Sequence, residues 1–482
     1  MQKELLKNKN VLVVGLGVLG GGVSTVKWLV RQGAKTTITD LQTKKQLQQS
    51  IKELGTIALK IKFVLGKHNE SDFKLNDIIV VNPAVKIEGN RFLKIAKRAG
   101  KLIVNDLAFF LEYSKKFVIA ITGTHGKTTT TNWIAHFISS KYPKTKAGGN
   151  SSDEALLKLL SKMSGNKKRP SVLELSSFQL EIANHIKRSP NIALITNLYQ
   201  DHLNRHGSMK KYALAKANIF KNQNERQNLI FNKDNEWTPF FLKQNPKAKI
   251  FFFSQKPLLK NENGIYIKKN FLYFKNGETE KIIFSAQKLI AFRNNQGEHN
   301  LQNLMGSLLA SHLFGIPWNT LKKRITSLPS IPYREQIILQ KKNLIIVNDS
   351  AGTSPDAMTA ALKRFSNKNC FVITGGTDKN LDFKYWAKEV KKYIKSNRIY
   401  FLNGSATQKM ISELKKIKFF KSASPLIFED LKKILISVKK EVDIQTDTTI
   451  LFSPASASFE KFKNEFDRGE KFTLYSKQLF FK

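Results

Sequence analysis

At 482 residues the chain is long enough for about three domains, and a hydrophobic share of 41% supplies ordinary globular cores. The formal charge is +44, from 81 Lys and Arg against 37 Asp and Glu, which raises a nucleic-acid or anionic-surface reading. The basic residues are spread along the chain rather than gathered in one block, so a solvated lysine-rich surface, still attractive to phosphorylated substrates, fits better. One cysteine, Cys370, excludes an intrachain disulfide and a cysteine-built zinc site. No run approaches ~18 uninterrupted apolar residues, and the glycine-broken stretch 1–23 reads as strand and loop rather than leader. A cytoplasmic protein without membrane insertion is expected.

Residues 11–14 form a buried-strand run that leads into Gly15-Leu16-Gly17-Val18-Leu19-Gly20, a G-x-G-x-x-G turn, and then a helical stretch with Val26, Leu29 and Val30 on one side. A second strand over 35–39 ends at Asp40, placed as the acid of a dinucleotide fingerprint is. The same turn can hold any nucleotide diphosphate, so NAD is one reading among several. Strands over 61–65, 78–81 and 101–104, alternating with helices, predict an open parallel sheet that ends near residue 113.

The next unit opens on an apolar run over 117–121, then Gly123-Thr124-His125-Gly126-Lys127-Thr128, then a helix through Trp133 and Phe137. Strand, glycine loop, helix is the setting of a phosphate loop. Amides at the helix start face an anion, the lysine reaches the outer phosphates, and the threonine hydroxyl can ligate Mg²⁺. The spacing is not the full Walker form, because Ala120 or Ile121 stands where the first glycine would be.

Downstream, 172–177 reads as a strand reaching Glu174, and 192–197 as one leading to Asp201 and His202. A carboxylate at the C-terminal end of a strand parallel to the loop strand is where a Mg²⁺ ligand belongs. Glu174 and His202 are thereby expected at the same sheet edge as Thr128. Residues 208–218 read as a helix capped by Ser208, in which Lys216 has no distinguishing feature. Residues 264–284 alternate as hairpins, an antiparallel flap, and a helix then opens at His299 and stops at Gly315-Ile316-Pro317. Pro329 and Pro332 bracket a linker. Beyond it, strands over 344–347, 371–373, 399–402 and 450–452 each end in a polar or glycine turn, which predicts another open α/β sheet with its site along the strand C-termini.

The segments GTHGKTTT, LELSSFQLE (173–181), TNLYQDHLNRHGSMKKYALAK (196–216), EHNLQN, NDS and LFSPASASFEKFKNEFDRGEKF (451–472) together resemble the Mur ligase family over essentially the whole chain, and within it the D-glutamate-adding members. The loop wording is nearer the L-alanine-adding members, but the first glycine turn and the C-terminal tail argue against them. The resemblance implies an α/β fold of three domains. These are a Rossmann-like UDP-sugar-binding domain (1–113), a central P-loop-type ATP-binding domain with a parallel sheet and a small antiparallel flap (114–330), and a Rossmann-like amino-acid-binding domain (331–482). It implies an ATP-dependent ligase of peptidoglycan precursor synthesis that joins UDP-N-acetylmuramoyl-L-alanine and D-glutamate through an acyl phosphate. ATP, two Mg²⁺ ions, a monomer and no nucleic-acid partner follow from it.

By the same resemblance Gly123, Thr124, His125, Gly126, Lys127, Thr128 and Thr129 hold ATP, with Asn300 and Asn303 matching the family's adenine-side and structural contacts and Arg334 and Asp349 reaching ATP from the last domain. Thr128, Glu174 and His202 hold the metal, joined by Lys216 if CO₂ carbamylates it. Lys127, His202 and Lys216 are its catalytic residues. Gly17, Val18, Leu19 and Asp40 match the uridine-nucleotide site, Asn150 and Ser176 the rest of the acceptor site, and Thr353, Lys379, Ser458 and Phe459 the D-glutamate pocket. Two departures stand out. The family's Asn-Asp-Ser-Lys ends here in Ala351, so the dicarboxylate pocket lacks one cation, and its Asn-Ile-Gly becomes Asn150-Ser151-Ser152. A ligase for another amino acid, such as L-alanine onto UDP-MurNAc, is the nearest alternative. An NAD-dependent oxidoreductase and a nucleic-acid-binding NTPase are more distant ones.

Overall fold

The computed structural model describes residues 6–18, 20–114, 116–149, 155–161, 169–182, 188–367, 369–421, 424–443 and 445–481. Leu19, Asn150, Ser151 and Ser152 lie outside the described residues. The chain is mixed α/β in three domains, and among the described residues each of its three sheets is open.

The first sheet takes β1 (Asn10–Val14), β2 (Lys35–Asp40), β3 (Lys62–Leu65), β4 (Ile78–Val81) and β5 (Leu102–Val104), in the order β3-β2-β1-β4-β5, all parallel. The second takes β6 (Val118–Thr122), β7 (Ala147–Gly149), β8 (Ser171–Glu174), β9 (Ile192–Ile195), β10 (Asn228–Asn232), β11 (Lys249–Ser254), β12 (Gly264–Lys268), β13 (Phe271–Asn276) and β14 (Thr279–Phe284). Its order is β14-β13-β12-β11-β10-β9-β6-β8-β7, and only the β12-β13-β14 flap is antiparallel. The third takes β15 (Gln336–Lys341), β16 (Leu344–Asn348), β17 (Asn369–Thr374), β18 (Ile399–Leu402), β19 (Leu426–Phe428) and β20 (Thr448–Phe452). Its order is β15-β16-β20-β17-β18-β19, with β15 antiparallel to β16.

Buried parallel strands read as continuous apolar runs because both faces are covered. In β6, successive side chains then serve opposite cores: Val118 and Ala120 join one apolar cluster, Ile119 and Ile121 the other. The first of these clusters also takes in Val11 and Val13 of β1 and Phe110 of the helix Asp106–Tyr113. One core is therefore common to the first two sheets, and these form one compact unit, Met1–Pro329. The second unit, Ser330–Lys482, holds the third sheet, with Val347, Val372 and Leu451 toward one cluster and Ile346, Phe371 and Ile450 toward the other. Among the described residues no helix is long and apolar enough to cross a membrane.

Sequence reading did not anticipate β7, β10, β11, β15 and β19. β7 is Ala-Gly-Gly, with no strand propensity of its own; it is held by pairing to β8, so tightly that a Cβ on Gly149 would lie 2.2 Å from the Glu174 carbonyl oxygen. β15 and β19 are half-exposed edge strands without a buried run. β10 and β11 do carry such runs, Leu-Ile-Phe and Ile-Phe-Phe-Phe, and were legible.

Candidate active site

β6 lies between β8 and β9, with Ile121 beside Glu174 and Thr122 beside Ile195. The three strand ends therefore open onto one edge, and the glycine loop leaves from the middle of it. Gly123 has φ +151°, and a Cβ there would lie 1.9 Å from Thr196 Oγ1. Gly126 has φ +78°, and a Cβ would meet Asn303 Oδ1 at 2.1 Å. Both positions need glycine for backbone and for space.

The loop is braced from β9. The Thr124 amide donates to the Asn197 carbonyl (3.0 Å), the His125 amide to Asn197 Oδ1 (2.9 Å), and Thr196 Oγ1 to the His125 carbonyl (2.7 Å). Asn303 donates to Asn300 Oδ1 (2.9 Å) and accepts from Thr130 (3.4 Å), so this pair also shapes the loop. Gly126 gives the helix Lys127–Ile138 no side-chain cap. The first-turn amides of Lys127, Thr128 and Thr129 thus lie at the positive end of the helix, where an anion is stabilised. Lys127 Nζ stays at the loop, donating to the Thr124 carbonyl at 2.9 Å.

Lys216, which has no mark in the sequence pattern, proves central. It is 1% exposed at the end of the helix Met209–Ala217. Its Nζ donates to the Gly123 carbonyl at 2.7 Å and lies 4.5 Å from the Tyr212 ring centroid. Burial first, and then the Lys127 charge, push its pKa well below the ordinary lysine range; Asp201 and Glu174 act the other way. A buried amine that sheds its proton is a nucleophile. Tyr212, also missed in sequence reading, faces the loop through a 3.3 Å hydrogen bond between its hydroxyl and Thr124 Oγ1.

His202 caps the short helix Leu203–His206 with φ 54°, its Nε2 3.3 Å from Asp201 Oδ2. The ring meets Phe178 edge-on at 4.9 Å. His206, behind it, is 3% exposed, stacks on Tyr212 at 5.1 Å and shares a 3.0 Å hydrogen bond with Ser177 Oγ. Burial first, then Arg205 and Lys216, lower its pKa from 6.5 to about 4. The unfolded chain then binds more protons than the folded one between these values, so stability falls as pH drops through that window. Taking the protein from pH 7.5 to 5 is expected to lower the thermal midpoint of wild type by more than that of His206→Gln. Equal losses in parallel melts would place the acid sensitivity elsewhere.

Among the described residues no group of three or more His, Cys, Asp or Glu side chains forms a metal cage of its own. Thr128 and Glu174 nonetheless offer oxygens at one edge, beside the loop. Magnesium binds through one or two carboxylates plus phosphate oxygens and water, so this donor set fits a metal that arrives with a polyphosphate. Lys216 joins such a set only as a carbamate, which converts its amine into an oxygen ligand.

At the first glycine turn, Asp40 is 7% exposed and its Oδ2 accepts from the amides of Leu16 (2.8 Å) and Gly17 (3.2 Å). The carboxylate shapes the turn instead of reaching out from it. Ser50 ties down the Gly17 carbonyl at 2.7 Å, while Val18 is 60% exposed. Ser176 caps the helix Ser177–Glu181 in a capping box with Gln179, which accounts for its hydroxyl.

In the second unit, Asp349 is 4% exposed, accepting from Ser453 Oγ (2.6 Å) and the Glu335 amide (3.1 Å). Burial, then the Glu335 carboxylate, push its pKa up to about 7. It braces the Tyr333-Arg334-Glu335 turn, in which Tyr333 and Glu335 both take positive φ. Lys379 Nζ donates to Thr353 Oγ1 at 3.2 Å, so these two come together as expected. Ser458 is buried, its Oγ without a hydrogen-bond partner among the described residues, Phe459 is 64% exposed, and Ala351 is buried. Sequence reading gave no role to Arg468, which is fully buried and donates to the carbonyls of Ser350 (2.8 Å), Ser456 (3.1 Å) and Ala457 (2.9 Å). It holds the Ser-Pro-Ala-Ser-Ala-Ser loop in shape.

Residues 121–311 match the family described as the Mur ligase middle domain, and residues 9–105 match the Mur ligase MurD-like N-terminal domain. The chain is 35% identical to the UDP-N-acetylmuramoylalanine--D-glutamate ligase of Borreliella afzelii (strain PKo), over 98% of either sequence. It is 33% identical to the protein of the same name from Roseiflexus sp. (strain RS-1), over 97% of this chain and 98% of that one. Its fold is similar to the MurF ligase of Thermotoga maritima in complex with ADP, with TM-score 0.52, 17% identity, and 99% and 96% of the two chains covered. With a glycine loop flanked by Glu174 and Lys216, in a sequence aligned over nearly its whole length with these relatives, one conclusion is left: the chain belongs to the Mur ligase family.

Proposed function

We infer that the chain is an ATP-dependent amide ligase that adds D-glutamate to UDP-N-acetylmuramoyl-L-alanine in peptidoglycan precursor synthesis, working as a cytoplasmic monomer. The observation that carries this is one buried amine, Lys216, under the joint influence of Lys127, Glu174 and Asp201 beside the phosphate loop. Residues 1–113 take the acceptor nucleotide, 114–330 ATP, and 331–482 the amino acid.

The chemistry requires two anions, a carboxylate and a γ-phosphate, to meet. Lys127 and the amides that open the helix Lys127–Ile138 hold and neutralise the phosphates. Thr128, Glu174, His202 and a carbamylated Lys216 would hold Mg²⁺, which supplies further neutralisation of phosphate charge. The acceptor carboxylate takes the phosphoryl group, and ADP leaves. The amino group of D-glutamate attacks the acyl carbon, gives up a proton, and expels phosphate. Lys379, with Thr353 and Ser458, presents a cation and hydroxyls to the amino-acid carboxylates, with Ala351 supplying none.

A panel of D-Glu, L-Glu, D-Asp and L-Ala, each offered with UDP-MurNAc-L-Ala and with UDP-MurNAc, tests the reading. ADP release is expected only with D-Glu and UDP-MurNAc-L-Ala. Incorporation of L-Ala onto UDP-MurNAc would move the assignment to the preceding step, and ADP release indifferent to acceptor would remove it.

A further inference from the structure

In the ligase reading above Arg205 has no part in phosphoryl transfer, yet it is 9% exposed on the short helix Leu203–His206. Its charge is matched by Glu181, whose Oε2 accepts from Nε at 3.1 Å and from Nη2 at 2.9 Å. The rest of the fork reaches into the first sheet. Nη1 donates to the Ala84 carbonyl (3.2 Å) and Nη2 to the Val85 carbonyl (2.7 Å), in the turn that follows β4. That turn packs on the first glycine turn: Val85 Cγ2 and Asn82 Cβ lie 3.0 and 3.2 Å from where a Cβ on Gly15 would sit. On the phosphate side, the guanidinium carbon lies 4.9 Å from the centre of the Phe178 ring, and that ring meets His202 edge-on at 4.9 Å. A planar cation with five fixed donors can serve two carbonyls, a carboxylate and a ring face together; an ammonium cannot.

We propose that Arg205 is a positioning residue for acceptor binding. It sets the 82–85 turn, and with it the glycine turn that takes the acceptor nucleotide, against Phe178 and His202 at the phosphate end. This rests on the ligase reading above. A role in holding the fold alone would reduce stability and active fraction but would leave both Michaelis constants in place.

Arg205→Lys and Glu181→Gln separate the two roles. The first keeps the charge and loses the fork; the second leaves the carbonyl contacts and frees the guanidinium from its counter-ion. Steady-state ADP release, with acceptor and ATP varied in turn, is expected to show the acceptor KM raised about tenfold in Arg205→Lys, since charged hydrogen bonds are lost. Glu181→Gln is expected to raise it by a smaller factor, and the ATP KM should stay within about twofold in both. Michaelis constants that stay put, or that rise together for both substrates, would overturn the proposal. Wild-type protein without acceptor-dependent ADP release would instead sink the ligase reading.

Discussion

Lys127→Ala is expected to lower acceptor-dependent ADP release by about two to three orders of magnitude, the loss that follows when a preorganised charge or donor is removed from developing negative charge. The fold should hardly notice. One hydrogen bond of this side chain runs to the Thr124 carbonyl of its own loop, and the side chain is half-buried at the start of the helix Lys127–Ile138. Thermal midpoints within a degree or two of wild type, beside the lost turnover, would separate chemistry from folding. An alanine variant that still turned over at a tenth of the wild-type rate would mean that the phosphates are held elsewhere.

Lys216→Met is expected to divide function from stability more sharply. Methionine fills a similar volume without the amine, so ADP release should fall by about a hundredfold or more. The same change relieves the desolvation of a buried amine but also takes away the 2.7 Å hydrogen bond to the Gly123 carbonyl, two effects that oppose each other in stability. The variant's midpoint should therefore stay within a few degrees of that of wild type. Carbamylation has its own readout: with ¹³C-bicarbonate, wild type should show a carbamate carbonyl resonance that Lys216→Met lacks. Full activity in Lys216→Met would take the residue out of the mechanism.

How much of this was legible in the sequence depended on whether a residue's role is local. The glycine loops, the strand ends at Glu174 and Asp40, the flap and the Ser208 cap are all set by neighbours within a few positions, and the alternation of apolar runs with turns announced them. Lys216 was not legible from pattern, because its burial comes from packing against Tyr212 and from the Gly123 carbonyl, more than ninety positions away in sequence. Arg205 and Arg468 were missed for a like reason: both donate to backbone carbonyls distant in sequence or carrying no residue identity to read. Asp40 was found by spacing, but spacing could not say that its carboxylate turns inward onto Leu16 and Gly17. Ser176 likewise was found by wording shared with relatives, while the fold employs it as a cap.

The apolar cluster that takes in both Val11 and Ala120 has a mechanical consequence. Protein interiors are nearly incompressible, so strain entering at one wall of such a filling emerges at the other. The two glycine turns, one on each sheet, are thereby parts of a single stiff frame. Any substrate that engages both must match a span that the folded chain has already chosen.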